Sequence, residues 1–260
     1  MITPASLQRR EYKYLVDEDL VERIRRHIAG VCAVDAHAAP TGGRYRIDTL
    51  YLDTPRLDSY RATVEDAGDR YKLRVRGYPS APESPVFFEV KRRAGETIHK
   101  TRAAYRGDWA RLLDAPEPAL FDALSPRVRA GIDNFICHYH RAPFRPVALV
   151  RYEREPYFSL VDDYARVTFD REVSYQPAHE LSLAGDAAWS CIDDAVSQCG
   201  PRGSLVLLEL KFTTLVPSWM RRMVHTLELQ RMSFCKYTRS IDAMRAPPLS
   251  QRIARAGLSR

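Results

Sequence analysis

Between Arg70 and Tyr78 the chain reads RYKLRVRGY, so Lys72, Arg74 and Arg76 alternate with Leu73 and Val75. A period of two is that of a β-strand, whose side chains point to opposite faces in turn. The three cations therefore share one face and the two apolar residues share the other. A purely cationic face fits few environments. It meets water on an open sheet, or it lines the interior of a closed one.

The same alternation returns along most of the chain. Phe88-Glu89-Val90-Lys91 repeats it, then Lys100 with Arg102, Tyr152 with Arg154, Arg166 with Thr168 and Asp170, Glu209 with Lys211, and near the start Arg9, Glu11 and Lys13. Joined in one antiparallel sheet, these strands make one charged surface, and a closed barrel turns it inward as a polar lumen. The interleaved Glu11, Glu89, Asp170 and Glu209 would offset the repulsion of an empty lumen. The predicted fold class is α+β: an antiparallel β-barrel tunnel with a polar, cation-lined lumen and helices packed outside.

A chain of 260 residues is long enough for one sizeable core, and 28% charged with 45% hydrophobic residues is ordinary for a soluble globular protein and does not indicate disorder. The net charge of +7 favours an anionic partner. The five cysteines, Cys32, Cys137, Cys191, Cys199 and Cys235, show no zinc-ligand spacing and read as reduced thiols of a cytoplasmic protein. No apolar run is long enough to span a bilayer, and no signal-peptide core opens the sequence.

In chain order, a first strand over 9–16 precedes a helix capped by Asp17 and ended near Gly30, with Leu20, Ile24 and Ile28 facing the core. A strand over 45–53 leads to a short helix opened by Thr54-Pro55 and reaching about Glu65. After the cationic strand, strands over 86–93 and 97–106 form a hairpin around Gly95. Residues 107–141 keep helical spacing broken by Pro116, Pro118 and Pro126, a helical insertion outside the sheet. Strands resume over 146–158 and 164–173. The stretch 176–203 reads as a loop with a short helix. A last strand over 205–212 precedes an amphipathic helix from Pro217 to about Leu229 and a short helix after Tyr237. The expected organisation is one tunnel domain over 1–246 and a basic tail over 247–260.

The set Glu11-Tyr12-Lys13-Tyr14, Leu50-Tyr51-Leu52-Asp53-Thr54, Tyr71-Lys72-Leu73-Arg74-Val75-Arg76, Phe88-Glu89-Val90-Lys91, Lys100-Thr101-Arg102, Arg166-Val167-Thr168-Phe169-Asp170, Leu208-Glu209-Leu210-Lys211 and Phe234-Cys235-Lys236-Tyr237 resembles the VTC domain. That family holds the polyphosphate polymerase module of the vacuolar transporter chaperone complex, within the CYTH-like triphosphate tunnel metalloenzymes. The resemblance runs from about Arg9 to Arg239. It implies that Lys13, Arg74, Arg76, Lys91, Arg154, Arg166 and Lys236 do the catalytic work on the phosphates. Lys72, Lys100, Arg102, Tyr152 and Lys211 would complete the phosphate site, and Glu209 with Glu11 would hold a divalent Mn or Mg. Guanidinium groups grip phosphate oxygens bidentately where lysine offers a point charge, and a hard cation prefers oxygen ligands.

The implied reaction moves the γ-phosphate of a nucleoside triphosphate to a growing polyphosphate chain. Two alternatives stand beside it: a metal-dependent hydrolase of inorganic tripolyphosphate or nucleoside triphosphates, and a non-catalytic polyanion-binding barrel. Related tunnel triphosphatases open with Glu-x-Glu-x-Lys. Here Arg9 takes the first acidic position, which tilts the reading towards the polymerase. Cys235 stands where the family commonly has Ser, and a thiol is a weaker hydrogen-bond donor. The interleaved carboxylates argue against nucleic acid as the partner, whereas a membrane partner protein is compatible with the chain.

Other conspicuous residues read more plainly. Asp53 is expected to cap rather than to ligate. His99, His138, His140 and His225 share no spacing with a carboxylate, and Trp109, Trp189 and Trp219 read as packing. For Glu209 and Lys211 the plain alternative to a ligand role is an ion pair within the lumen.

Overall fold

The structure, a computed structural model, describes residues 10–246 apart from 80, 82, 96, 163, 193–204 and 214. Arg9, Cys199 and the 247–260 tail lie outside the described residues.

One antiparallel sheet organises the chain. Its strands are β1 (Arg10–Val16), β2 (Cys32–Val34), β3 (Tyr45–Asp53), β4 (Asp69–Gly77), β5 (Val86–Ala94), β6 (Thr97–Tyr105), β7 (Arg145–Ser159), β8 (Ala165–Pro177), β9 (Ser190–Cys191) and β10 (Val206–Phe212). They follow the order β1-β10-β8-β7-β3-β4-β5-β6, with β2 added to β7 and β9 to β8. Around them lie α1 (Glu18–Ile28), α2 (Asp58–Val64), α3 (Trp109–Asp114), α4 (Pro126–His140), α5 (Ser218–Thr226) and α6 (Lys236–Arg245).

The cationic strand of the sequence reading is β4, and its two faces separate as the alternation requires. Leu73 and Val75 are fully buried on the outer side, in a core with Leu50 and Leu52 of β3, Phe88 and Val90 of β5, and Ala103 of β6. That layer is covered by the 107–141 insertion through Leu112, Leu113, Ile132 and Phe135. On the other flank, Tyr14, Val16, Val167, Phe169, Leu208, Leu210 and Phe212 pack beneath α1 and α5. β1, β4, β5 and β10 thus give an apolar side to an outer helix layer and a charged side to the interior.

No described pairing joins β1 to β6, so hydrogen bonds leave the sheet open between these edges. It nevertheless curls until Glu11 of β1 and Lys91 of β5 interact across the interior. The result is a barrel-like tunnel. The last helix adds a feature that periodicity did not assign. Tyr237 and Ile241 of α6 pack with Ile47, Tyr51, Val150, Tyr152, Val173 and Tyr175, covering apolar residues of β3, β7 and β8.

Local chemistry explains where elements begin. Asp17 accepts from Leu20 N at 2.7 Å and caps α1, whose first turn carries Glu18 and Asp19 and whose last carries Arg25, Arg26 and His27, complementing the helix dipole. Its buried stripe is Val21, Ile24 and Ile28, with Leu20 only partly buried beside it. The Thr54-Pro55 start moves to Asp58, because Leu57 takes a left-handed φ of 57° and Asp53 caps from further back. Asp53 Oδ1 accepts from Thr54 N at 2.8 Å and Ser59 N at 2.9 Å, while Oδ2 accepts from Tyr60 N at 2.9 Å. Gly95 turns the β5–β6 hairpin at φ 59°, a conformation that favours glycine.

Three boundaries differ from the sequence reading. β2 was not anticipated, because Cys32-Ala33-Val34 is too short to show a period and forms only by pairing with Tyr157–Ser159 of β7. β8 extends to Pro177 past a left-handed Glu172 at φ 51°, and α6 begins at Lys236 rather than after Tyr237. Over 176–192 there is no helix. The chain runs as coil, with Leu181, Leu183 and Trp189 against the outer core, and pairs briefly as β9. Residues 193–203 of that stretch lie outside the described residues.

Candidate functional site

The register of β3 to β6 assembles one wall of the lumen. Tyr51 stands opposite Arg74 and Thr49 opposite Arg76, Arg74 opposite Glu89, Lys72 opposite Lys91, Glu89 opposite Arg102 and Lys91 opposite Lys100. Glu89 is fully buried and gathers the cations around it. Arg74 Nε donates to Glu89 Oε2 at 2.6 Å, and Arg76 lies 3.7 Å from the same oxygen. Lys100 Nζ stands 2.8 Å and Arg102 Nε 3.6 Å from Oε1. Four cations thus share one carboxylate, so this wall keeps a large positive excess.

The opposite wall comes from β1, β10, β8 and β7. Lys13 pairs in register with Glu209, Glu11 with Lys211, Glu209 with Thr168 and Arg154 with Asp170. Arg154 holds Asp170 with two donors, Nε at 2.6 Å and NH2 at 2.7 Å, and reaches Glu209 Oε2 at 3.0 Å. Lys211 donates to Glu209 Oε2 at 2.6 Å, and Lys13 lies 3.5 Å from Glu209 Oε1 and 3.1 Å from Glu11 Oε1. The helix α6 contributes Lys236, whose Nζ contacts Asp170 and stands 3.4 Å from Glu209 Oε1. The ion-pair reading of Glu209 and Lys211 is therefore realised within this larger cluster.

Protonation follows from these contacts. Burial alone would raise Glu209, yet Lys211, Lys236, Lys13 and Arg154 hold it well below the usual carboxylate range. Glu11, against burial and its neighbour Glu209, is brought down to about 2 by Lys13, Lys211 and Lys91. Glu89 is likewise ionised by Arg74, Arg76 and Lys100 despite its burial. The lysines of the positive wall move the other way. Burial, with Arg74 and Arg76 nearby, lowers Lys100 to about 7 even though Glu89 favours its charge, and burial next to Lys13 and Arg74 lowers Lys91. This wall carries more cationic than anionic charge, an excess that an anionic ligand would offset.

Two buried polar atoms add to that demand. Thr49 Oγ1 and Arg76 Nε, on residues opposite each other, have no hydrogen-bond partner among the described residues. An unpaired buried donor is costly and is satisfied when a phosphate oxygen arrives.

A divalent cation can be tested against the donor set. Among the described residues no three His, Cys, Asp or Glu side chains converge on one point. A hard cation that arrives with phosphate needs only one or two carboxylates from the protein, the phosphate oxygens supplying the rest. Glu11 and Glu209 interact across neighbouring strands and offer that pair, so the residues fit a cation shared with the substrate.

The structure gathers Lys13, Lys72, Arg74, Arg76, Lys91, Lys100, Arg102, Tyr152, Arg154, Lys211 and Lys236 on the inner face with Glu11 and Glu209. Tyr152 is buried between Arg76, Arg154 and Lys236, which lower its hydroxyl pKa against the effect of burial. Arg166 shares the inward parity but stands apart. Its side chain is 51% exposed and lies 4.0 Å from Asp35, outside the inner cluster. Cys235 faces Lys72 and Lys13, which with the Thr238 N–H lower its thiol against burial. Sequence reading missed Thr49, Tyr45, Tyr78 and Phe87. Only the inward parity of their strands could have signalled them, since none carries a charge.

The geometry defines a class, an antiparallel barrel-like tunnel whose interior is lined by cations and ion-paired carboxylates. The sequence model of the VTC domain family matches residues 8–245, and the chain belongs to that family. It is an enzyme of the group that transfers or hydrolyses the phosphates of triphosphates. No curated protein sequence matches the chain significantly. Solved structures similar to it include a candidate adenylate cyclase from Bacillus halodurans (TM-score 0.47, 10% identity, covering 88% of this chain and 93% of that one). Another is a candidate adenylate cyclase from Vibrio parahaemolyticus (0.45, 12%, 89% and 96%). A third is a candidate adenylyl cyclase from Hippeastrum with a dominant triphosphatase activity (0.49, 13%, 92% and 97%).

Proposed function

We propose that this chain is a polyphosphate polymerase-type phosphotransferase, moving the γ-phosphate of a nucleoside triphosphate to the end of a polyphosphate chain inside the tunnel. The observation that carries the reading is the state of the lumen carboxylates. Glu11, Glu89, Asp170 and Glu209 are each engaged in ion pairs with lumen cations: Lys13 on Glu11, Arg74 and Lys100 on Glu89, Arg154 and Lys236 on Asp170, and Lys211 and Arg154 on Glu209. A hydrolase needs a general base free to take a proton from water, and none of these carboxylates is free of a cation. A phosphate chain end is already an anion and needs only positioning and charge stabilisation, which Arg74, Arg76, Lys100, Arg154 and Lys236 supply. Lys100 does not replace the missing base, because the bound polyanion returns it to the charged form.

In this reading Arg74, Arg76, Lys91, Lys100 and Arg102 hold the triphosphate on the positive wall. Lys13, Arg154, Lys211 and Lys236 neutralise charge as it shifts to the leaving diphosphate, with Tyr152 between the two walls. Lys72, further along the inner face of β4, and Arg166, outside the inner cluster, draw the anion along the tunnel. Glu11 and Glu209 would hold Mn or Mg, which when bound offsets phosphate charge. One tunnel domain over 1–246, carrying 107–141 as an insertion, belongs to the same proposal. So does a cytoplasmic location, which suits the free thiols of Cys32, Cys137, Cys191 and Cys235. No helix among the described residues is long and apolar enough to cross a membrane, and a membrane partner protein remains part of the proposal.

Incubation with ATP labelled in the γ-phosphate and Mn or Mg tests the reading. Labelled chains with little free phosphate are expected. Free phosphate without chains would replace the polymerase by a triphosphatase, and neither product would leave only a polyanion-binding barrel.

A further inference from the structure

The mouth of the tunnel at the start of β3 and β5 and the end of β4 is aromatic, whereas the lumen behind it is charged. Tyr45 and Phe87 are inward-facing residues of β3 and β5, and Tyr78 follows the last residue of β4 with the same parity as Arg74 and Arg76. The rings touch in a chain: Tyr45 to Tyr78 at 5.6 Å with planes at 64°, and Tyr78 to Phe87 at 5.7 Å with planes at 87°. Arg102 closes the group from β6. Its guanidinium lies 3.7 Å from the Phe87 ring centroid and donates to the Tyr78 hydroxyl at 3.2 Å. All three rings are partly exposed, and the Arg102 side chain is 40% exposed.

A packing role alone does not account for this belt. Outward-facing aromatics such as Phe88 are fully buried under the helices, whereas these three have inward parity and stay partly exposed, Tyr45 and Tyr78 also packing against the cluster around Tyr237. The belt is also continuous with the phosphate wall. Phe87 stands opposite Arg76, and Arg102 stands opposite Glu89, around which the cations gather. Two residues of strand span about 7 Å, so a planar group among the rings lies one side-chain step from that cluster.

Resting on the nucleoside triphosphate reading above, we propose that Tyr45, Tyr78 and Arg102-capped Phe87 form the nucleobase site of the donor, which enters with its triphosphate leading and its base left in this mouth. Every base has a π-face that stacks on aromatic rings and on a guanidinium plane. The tyrosine hydroxyls add polar contacts for the ribose. Burial pushes the Tyr45 hydroxyl up to about 12, so it remains a donor at neutral pH. The Arg102 guanidinium in the belt is already turned to the Phe87 ring and the Tyr78 hydroxyl, and the belt holds no other charged or amide side chain to read a base edge. The site therefore favours purine over pyrimidine triphosphates through ring area and discriminates little between adenine and guanine. Inorganic tripolyphosphate uses the charged wall and leaves the belt empty.

Calorimetry with two ligands separates this inference from the reading it rests on. Wild-type protein is titrated with ATP and with inorganic tripolyphosphate, and so is the double variant Tyr45→Leu/Tyr78→Leu, which keeps apolar bulk, Phe87 and Arg102. We expect ATP to bind the variant roughly 10-fold more weakly, the scale of a lost base–aromatic stack, with tripolyphosphate affinity unchanged. Equal weakening of both ligands, or of neither, overturns the nucleobase site and leaves the tunnel reading standing. Failure of wild-type protein to bind either ligand overturns both. Saturation-transfer NMR of ATP on wild-type protein does not depend on the variant folding. The adenine H2 and H8 protons should receive saturation, and its absence there overturns the site.

Discussion

The hydroxyl of Tyr237 donates to Asp53, tying the first turn of α6 to the end of β3. The same carboxylate caps α2, so one fully buried group fixes the start of two helices. Tyr237 also stacks on Tyr51 at 4.9 Å, and Lys236, its neighbour in sequence, extends into the lumen to Asp170. The connection runs from a capping residue to a phosphate-site cation through adjacent residues of one helix.

Asp53→Ala should therefore cost about 2–3 kcal/mol in denaturant unfolding, through the lost cap and the unpaired Tyr237 hydroxyl. Tyr237→Phe should cost about 1 kcal/mol and keep the ring stack. It should also weaken tripolyphosphate binding several-fold by loosening Lys236. Unchanged affinity in Tyr237→Phe would separate Lys236 from this anchor.

Arg74 and Arg76 differ in what they leave behind. Arg74 is the close partner of fully buried Glu89, so Arg74→Ala removes a buried ion-pair partner and should lower stability by roughly 3 kcal/mol as well as abolish turnover. Arg76 stands 3.7 Å from Glu89, and its Nε is unpaired, so Arg76→Ala should leave the melting temperature within a few degrees. It should nonetheless cut turnover about 100-fold or more, as the loss of one charge-stabilising donor does elsewhere. A double variant of both arginines would carry the fold penalty of Arg74 and so could not isolate the effect on turnover. A thermal melt run beside the activity assay distinguishes the two single variants.

Lys100 makes anion binding depend on pH. Its pKa is lowered from 10.5 to about 7 by burial, with Arg74 and Arg76 adding to the effect and Glu89 opposing it. The unfolded chain keeps this proton to a higher pH, so between about 7 and 10 the group adds stability to the empty protein as pH rises. Tripolyphosphate restores the charge, so binding near pH 8 should take up protons and weaken as pH rises. Titrations in buffers of different ionisation enthalpy would show it. Lys100→Arg, charged throughout, should reduce the uptake. The same uptake in that variant would assign the effect to Lys72 and Lys91, whose pKa values are also lowered by burial.

Outside the tunnel, Glu155 accepts from Arg25 Nε at 2.8 Å, Arg171 NH1 at 2.8 Å and the Tyr157 hydroxyl at 2.7 Å. Burial would raise its pKa, yet Arg25, Tyr157 and Arg171 bring it from 4.5 to about 2. The stability from this depressed carboxylate is complete above about pH 4.5 and is lost as pH falls towards 2. Glu155→Gln should be less stable at pH 7 by about 3 kcal/mol and flatter in acid. Parallel pH–stability profiles would assign acid sensitivity to the lumen carboxylates instead.

Much of the site was legible because charge on every second residue survives any arrangement of strands. The parity of Lys72, Arg74 and Arg76 required a common face, and the outer core of Leu73 and Val75 required that face to be the inner one. Register was not legible. That Glu89 would gather Arg74, Arg76, Lys100 and Arg102, or that Glu11 would approach Lys91, depends on which strands pair and how far the sheet curls. Uncharged positions were silent for a related reason. Tyr45, Tyr78 and Phe87 read as ordinary strand aromatics until pairing placed them at one mouth. The α6 boundary depended on Asp53, which lies far away in sequence and reaches Tyr237 only in the folded chain.

The central claim is that the lumen is a polyanion site, and calorimetric titration of the wild-type protein with inorganic tripolyphosphate tests it most directly. We predict one site per chain, affinity at least about 100-fold above that for orthophosphate, and a fall in affinity with added salt as lumen charges are screened. Binding no tighter than orthophosphate would contradict the account.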